Sequence, residues 1–207
     1  MMNCVIFAGG SIADYTQAAK AAETADVIVC ADSGILHAEK IGAVADYWVG
    51  DLDSVDGRHN CGEFIKLPTE KDDTDTMSAA RLAVKLGARK VRIFGWSGTR
   101  LDHTFGNLFV LKFLLDNGIY AVAIDEHNSV FLLENGQCTV ERKDGRFLSV
   151  LPFCCEAKGV DLTGVKYPLS NYTLQGSHPI GISNEIVDDY CCVSVEKGTV
   201  AVFLSRD

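Results

Sequence analysis

The hydrophobic pattern of this chain changes its period once, and that change limits the architectures open to it. Up to about residue 125, short β-branched runs alternate with stretches of helical periodicity. Strands are predicted at Cys4 to Ala8, Val27 to Ala31, Tyr47 to Gly50, Phe64 to Leu67, Val91 to Phe94 and Ala121 to Ile124. Helices are predicted from Asp14 to Ala25, Ile35 to Ile41, Thr76 to Leu86 and Leu101 to Leu115. Such alternation builds βαβ units and a mostly parallel sheet flanked by helices. In the third helix Met77, Ala80 and Val84 share one face, and Asn117-Gly118 supplies the stop for the fourth. After Asp125 the runs Val130 to Leu133, Thr139 to Arg142 and Leu148 to Leu151 follow one another with no room for helices. They are separated by Asn135-Gly136 and Asp144-Gly145, which read as hairpin turns. Tyr190 to Val195 and Val200 to Leu204 read as two further strands. The expected fold is therefore α/β: a helix-flanked, mostly parallel sheet over residues 1–126, then an antiparallel β-sandwich over residues 127–207.

Charge narrows the function. The 207 residues carry 19 Lys+Arg against 28 Asp+Glu, a net charge of -9, which argues against a nucleic-acid partner, since backbone binding rests on clustered Lys and Arg. A small anionic ligand remains compatible with that charge if a divalent cation accompanies it. No run approaches the ~20 apolar residues of a membrane span. The 8 Cys include no Cys-x-x-Cys, and the adjacent pairs Cys154-Cys155 and Cys191-Cys192 sit in apolar contexts where a thiol is expected to be buried as a small hydrophobe. The first residues lack a basic segment ahead of their short apolar run. A reducing, cytoplasmic location is the expectation.

In an open parallel sheet, ligands gather at the carboxyl ends of the strands. After the second strand come Asp32, Ser33 and Gly34; after the third, Asp51-Leu52-Asp53-Ser54; after the fourth, Asp72-Asp73-Thr74-Asp75. Asp51 and Asp53, two apart, point the same way from an extended segment and can reach one cation. Asp72 and Asp75, three apart at a helix entrance, share a face, although acids there also serve as caps. After the fifth strand, Gly95 and Gly98 precede Arg100 at the start of a helix, a combination suited to phosphate: close backbone amides, a helix N-terminus and a fork of donors. His103 lies on the same helix, as a ligand contact or a surface residue. Asp51-Leu52-Asp53-Ser54-Val55 also fits the nucleophile loop of haloacid-dehalogenase-type phosphatases, in which the first Asp is phosphorylated.

Taken in order, Ala31-Asp32-Ser33-Gly34, Gly50-Asp51-Leu52-Asp53-Ser54, Asp72-Asp73-Thr74-Asp75, Gly98-Thr99-Arg100-Leu101-Asp102-His103 with Asn107, and Ser183-Asn184-Glu185 resemble the thiamine pyrophosphokinase family over nearly the whole chain. The resemblance implies transfer of pyrophosphate from ATP to the hydroxyethyl oxygen of thiamine, giving thiamine diphosphate and AMP, by a cytoplasmic homodimer using Mg²⁺. It implies a metal shell of Asp51, Asp53 and Asp75 with Asp72 as a further ligand or outer group. The nucleotide is implied at Asp32, Ser33, Gly34, Gly98, Arg100, His103 and Asn107, with Arg100 on phosphate. Asp102 is implied near thiamine, to orient or deprotonate its hydroxyl, with Ser183 and Asn184 contacting the ring. A thiamine- or nucleotide-binding protein without turnover is the alternative from a different class.

Overall fold

An apolar run buried on both faces makes a central parallel strand, and Val27–Ala31 (β2) is such a run, with every residue buried. The computed structural model describes residues 1–51, 59–67 and 73–207, and the chain divides into two compact units, Met1–Glu126 and His127–Asp207. In the first unit β1 (Asn3–Phe7), β3 (Ala45–Gly50), β4 (Cys61–Lys66), β5 (Lys90–Phe94) and β6 (Tyr120–Ile124) join β2 in the order β6-β5-β1-β2-β3-β4. Every neighbouring pair in that order is parallel. The chain winds from β1 outward to β4, then crosses to the other side of β1 for β5 and β6. The topological switch therefore falls between β1 and β5, where a crevice opens.

The helices are α1 (Thr16–Glu23), α2 (Ile35–Lys40), α3 (Asp75–Leu86) and α4 (Leu101–Asp116). Thr74 caps α3, its side chain accepting from the Met77 amide at 3.2 Å, and the helix ends at Gly87 in the left-handed region. The buried face of α3 is Thr76, Ala79, Ala80 and Ala83, with Met77 and Val84 only half-buried. That face is turned from the predicted one because the small alanines, not the larger residues, meet the sheet. Trp48 is buried in β3 as its strand position predicts, and its indole Nε1 donates to the Asp32 carbonyl at 2.9 Å.

In the second unit, β7 (Asn128–Glu134), β8 (Gln137–Glu141), β9 (Phe147–Thr163), β10 (Leu169–Leu174) and β11 (Tyr190–Ser205) are all antiparallel where they pair. The two predicted C-terminal strands are one strand, β11, which pairs along its length with β9. The predicted hairpin at Asn135-Gly136 does not form. β7 and β8 both run antiparallel to β11, Glu134 opposite Thr199 and Gln137 opposite Ser194, so the chain bends there and continues without reversing. The bend is tied to β11: Asn135 has φ +45°, its amide donates to the Gly198 carbonyl at 3.2 Å, and its Oδ1 accepts from the Gly198 amide at 2.8 Å.

β11 must itself fold over. Glu141 of β8 faces Tyr190, Phe147 of β9 faces Ser205, and only residues 142–146 join them. That connection spans at most ~20 Å, whereas a straight strand of β11's length would separate its ends by ~50 Å. The fold-over produces two facing layers around Leu148, Val150, Val160, Leu162, Leu174, Val193 and Val202, the sandwich core. Its hinge is the register shift between Lys197 and Thr199, with Gly198 at φ +112°.

The cysteines only partly follow expectation. All eight are free, and Cys4, Cys30 and Cys191 are buried. Burial pushes the Cys4 thiol up to about 12, so it stays an unreactive hydrophobe. Cys154 and Cys155, expected inside, are exposed. They lie where β9 bulges between Phe153, opposite Thr199, and Lys158, opposite Lys197, and Cys154 adopts φ +66°. A bulge breaks the in-out alternation that would have buried one of them.

A Cβ at position 198 would sit 2.8 Å from the Glu156 carbonyl in backbone already left-handed. Gly198→Ala should therefore cost about 2–3 kcal/mol in urea unfolding, and Asn135→Ala about 1 kcal/mol. Because the two positions share one hydrogen-bonded corner, the double variant should lose less than the sum.

Candidate active site

Where the backbone of β1 runs past its last paired residue, it stays zipped to the extension of β5. Ala8 N donates to Phe94 O at 2.8 Å, Gly10 N to Gly95 O at 2.8 Å and Ser11 N to Ser97 O at 2.9 Å. The two segments come so close that a Cβ on Gly10 would lie 2.2 Å from Ser97 O, and one on Gly95, at φ +65°, 2.4 Å from Ala8 O. Glycine is thus a steric requirement at both places. This zipped edge is one wall of a cavity of about 350 Å³ in the first unit. Its other walls are the end of β2, the N-terminus of α3 and the segment from Trp96 into α4.

Asp32, Ser33, Asp75, Gly98, Arg100, His103 and Asn107 all line this cavity, as the strand-end reading expects. Gly34 is buried at the end of the single 3-10 turn Asp32–Gly34, which Asp32 opens at φ +49°. Asp51 directly follows β3, half-buried, outside the cavity's lining. Asp53 and Asp72 lie outside the described residues. Asp73 forms an ion pair with Arg81 (Nε to Oδ2 2.6 Å), and Thr74 rather than an acid provides the cap of α3. Asp75 is then the acid of that segment that borders the cavity. Asn107 is buried, and its Nδ2 donates to the Trp96 carbonyl at 2.6 Å, fixing the turn that follows β5. Ser97 is held in turn by the Asp125 carboxylate, at 2.9 Å.

Arg100 and Asp102 form an exposed two-contact ion pair, Nη2 to Oδ2 at 2.6 Å and Nε to Oδ1 at 3.3 Å. The guanidinium hydrogen bond is the main reason that the Asp102 carboxyl is lowered to about 2. Such a group is ionised at every ordinary pH and accepts a proton poorly. In the second unit, Ser183 is exposed on a turn at φ +57°. Asn184 is buried, with Oδ1 accepting from the Tyr167 and Glu185 amides and Nδ2 donating to the Tyr167 carbonyl.

Sequence reasoning missed the first wall. Gly9, Gly10 and Ser11 follow β1 as the recognised residues follow β2 to β5, and the pair of glycines at a strand end was the available signal. Thr74, Trp96, Ser97 and Thr104 also line the cavity.

For a divalent cation the donor chemistry fits. Asp75 and Asp32 bring hard carboxylate oxygens to the cavity, and Asp51 is the first residue after the strand beside β2. Among the described residues no three acidic, His or Cys side chains converge on a point. Mg²⁺ needs no such cage, since one or two carboxylates plus substrate phosphates and water satisfy it.

Two family models match the chain: thiamin pyrophosphokinase, catalytic domain, over residues 18–123, and thiamin pyrophosphokinase, vitamin B1 binding domain, over residues 137–200. Thiamine pyrophosphokinase of Bacillus subtilis (strain 168) is 32% identical over 183 residues, covering 85% of this chain and 82% of its own. A crystal structure of thiamine pyrophosphokinase from Bacillus subtilis superposes with a TM-score of 0.89 at 27% identity, covering 99% of each chain. One of a thiamin pyrophosphokinase family protein from Enterococcus faecalis gives a TM-score of 0.85 at 25% identity over 100% of each.

The Arg100–Asp102 pair makes a prediction that needs no substrate. Arg100→Ala should raise the Asp102 carboxyl from about 2 toward the ordinary aspartate value of about 4. Carboxyl carbon shifts followed by NMR through an acid titration would show it, and an unmoved titration would remove Arg100 as the cause.

Proposed function

The chain belongs to the thiamin pyrophosphokinase family, and on that premise we propose how its residues divide the work of moving a pyrophosphoryl group from ATP to thiamine. The reaction itself comes with the family: the hydroxyethyl oxygen of thiamine attacks the β-phosphorus of ATP, the bond to the α-phosphate oxygen breaks, and AMP leaves as the hydroxyl proton is lost. Phosphoryl-type transfer asks little covalent work of a protein and much positioning and charge stabilisation.

In our reading the cavity of the first unit takes the triphosphate. What carries this is its construction: a side-chain-free stretch at Gly9 and Gly10 on the switch point, lining the same cavity as the N-terminus of α3 and as Arg100, the N-cap residue of α4. Backbone amides at helix starts and a guanidinium fork are the natural partners of phosphate oxygens. Asp32, Ser33 and Gly34 border the nucleotide at the end of β2, with Gly98, His103 and Asn107 on the opposite side. Asn107 acts there through the Trp96 carbonyl that it holds. Asp51 and Asp75, with Asp53 and Asp72 from outside the described residues, are the carboxylates we assign to Mg²⁺. When bound, Mg²⁺ would offset the negative charge that builds on the transferring group.

For Asp102 the structure favours orientation over proton removal. While Arg100 grips it, its carboxylate is too weakly basic to take the hydroxyl proton efficiently, but it can still accept a hydrogen bond from that hydroxyl and aim it. In the second unit we assign the thiamine ring to the turn at Ser183 and Asn184. The Asn184 amide is spent on Tyr167 and Glu185, so its contribution is the shape of the turn, and the Ser183 hydroxyl is the group left to meet the ring. A homodimer in a reducing, cytoplasmic setting completes the reading. Eight free thiols suit that compartment, and Leu101, Phe105 and Phe109 form an exposed apolar stripe at every fourth position of α4 that association would cover.

Incubation with ATP, Mg²⁺ and thiamine should form AMP in step with thiamine diphosphate. Thiamine-independent release of phosphate would instead favour hydrolysis at the Asp51 loop. Asp51→Asn and Asp75→Asn should each lower kcat by about 10²-fold or more with unchanged unfolding temperature. Arg100→Ala should raise the KM for ATP about tenfold, the value of one charge-assisted hydrogen bond.

A further inference from the structure

A half-buried histidine outside the cavity's lining grips the glycine stretch of its first wall. His37 of α2 lies with Nε2 2.7 Å from the Gly10 carbonyl oxygen and Nδ1 2.6 Å from the Tyr15 hydroxyl. A carbonyl oxygen can only accept, so Nε2 carries the proton, and in the neutral ring Nδ1 accepts from Tyr15. Burial first, and then Lys40, lower the His37 pKa against the opposing effect of the Gly10 carbonyl, so the ring is neutral at neutral pH. Tyr15 is braced in its turn by Lys40, whose Nζ stands 4.4 Å from the centre of the phenol ring.

The Gly10 backbone is thus held on both sides. Its amide donates to Gly95 O, toward β5, and its carbonyl is taken by His37, toward α2. The second bond matters for an anion. A carbonyl oxygen is the negative end of a dipole, and glycine offers the least resistance to its peptide turning. An unheld Gly10 carbonyl beside phosphate oxygens would repel them. With the His37 donor on it, the oxygen is satisfied and directed at α2, and the wall is set before ligand arrives, so little reorganisation is needed on binding.

We propose that His37, braced by Tyr15, is a positioning residue for ATP: it fixes the Gly10 peptide so that the glycine wall of the cavity is preset for the triphosphate. The inference rests on the reading that this cavity holds the triphosphate, and the test separates the two. Steady-state kinetics in both substrates, with thermal unfolding alongside, are compared for His37→Leu, His37→Gln, Tyr15→Phe and Arg100→Ala.

His37→Leu should raise the KM for ATP about tenfold or more, since small misplacements at a reacting group are costly, while the KM for thiamine stays within about twofold. His37→Gln, whose amide nitrogen can reach the same carbonyl, should recover to within about threefold of the parent, and Tyr15→Phe should fall between, near fivefold, the worth of one hydrogen bond. Lower thermal stability in His37→Leu with an unchanged KM for ATP would mean a merely structural role and overturn the proposal. If His37→Leu does not fold, Tyr15→Phe decides: a raised KM for ATP at unchanged unfolding temperature supports the clamp, and an unchanged KM overturns it. A raised KM in Arg100→Ala but not in the His37 and Tyr15 variants discards the clamp alone. No rise in any of them discards the assignment of the cavity to ATP.

Discussion

Two pieces of backbone in the first unit run too close for any Cβ between them, and the rest of the site is arranged around that approach. Gly10 and Gly95 let the extensions of β1 and β5 remain hydrogen-bonded past the end of the sheet, at separations that any Cβ would forbid. Because β1 and β5 flank the topological switch, that zipper forms the wall of the crevice where a parallel sheet offers its ligand site. The surrounding side chains hold this backbone in place. Trp48 takes the Asp32 carbonyl, Asn107 the Trp96 carbonyl, and His37 the Gly10 carbonyl. Each satisfies a carbonyl next to the cavity with a fixed N–H, which suits a site for a highly charged anion.

The second unit depends on a different constraint, the double length of β9 and β11. Each serves both layers of the sandwich by bending once, and the bends coincide: Gly198 in β11, the bulge at Cys154 in β9 and Asn135 between β7 and β8 all meet at one corner. Positive backbone angles spent at the corner let the three strands turn together. The exposed cysteines follow from the same bend.

The first unit was largely legible because a buried parallel strand is a continuous apolar run, and β1, β2, β3, β5 and β6 lie within two residues of expectation at each end. β4 began three residues early, since Gly62 and Glu63 are both exposed and leave Cys61 to Glu63 without the apolar run. The Asn-Gly at 135–136 signals a residue that tolerates positive φ, but it does not say whether the chain reverses or only bends. The answer lay in residues about sixty further on, where Gly198 supplies the partner. Of the cavity's lining, Asp32, Asp75 and the Arg100 segment were visible as residues just past strands. The grip of His37 and Asn107 was not, because the tertiary fold decides which backbone carbonyl each side chain reaches, Gly10 for His37 and Trp96 for Asn107. The basicity of Asp102 was not legible either, since it is set by the neighbouring Arg100 and not by residue type.

The central claim is that ATP's triphosphate lies against the glycine wall with its β-phosphorus facing thiamine. A crystal structure with Mg²⁺, thiamine and an ATP analogue whose α,β-bridging oxygen is replaced tests it most directly. The account predicts phosphate oxygens within hydrogen-bond distance of Arg100 and of the Gly9–Gly10 segment, and the thiamine hydroxyl oxygen in line with the bridge to the α-phosphate. A triphosphate bound outside this cavity, or presenting its γ-phosphorus to the hydroxyl, would contradict it.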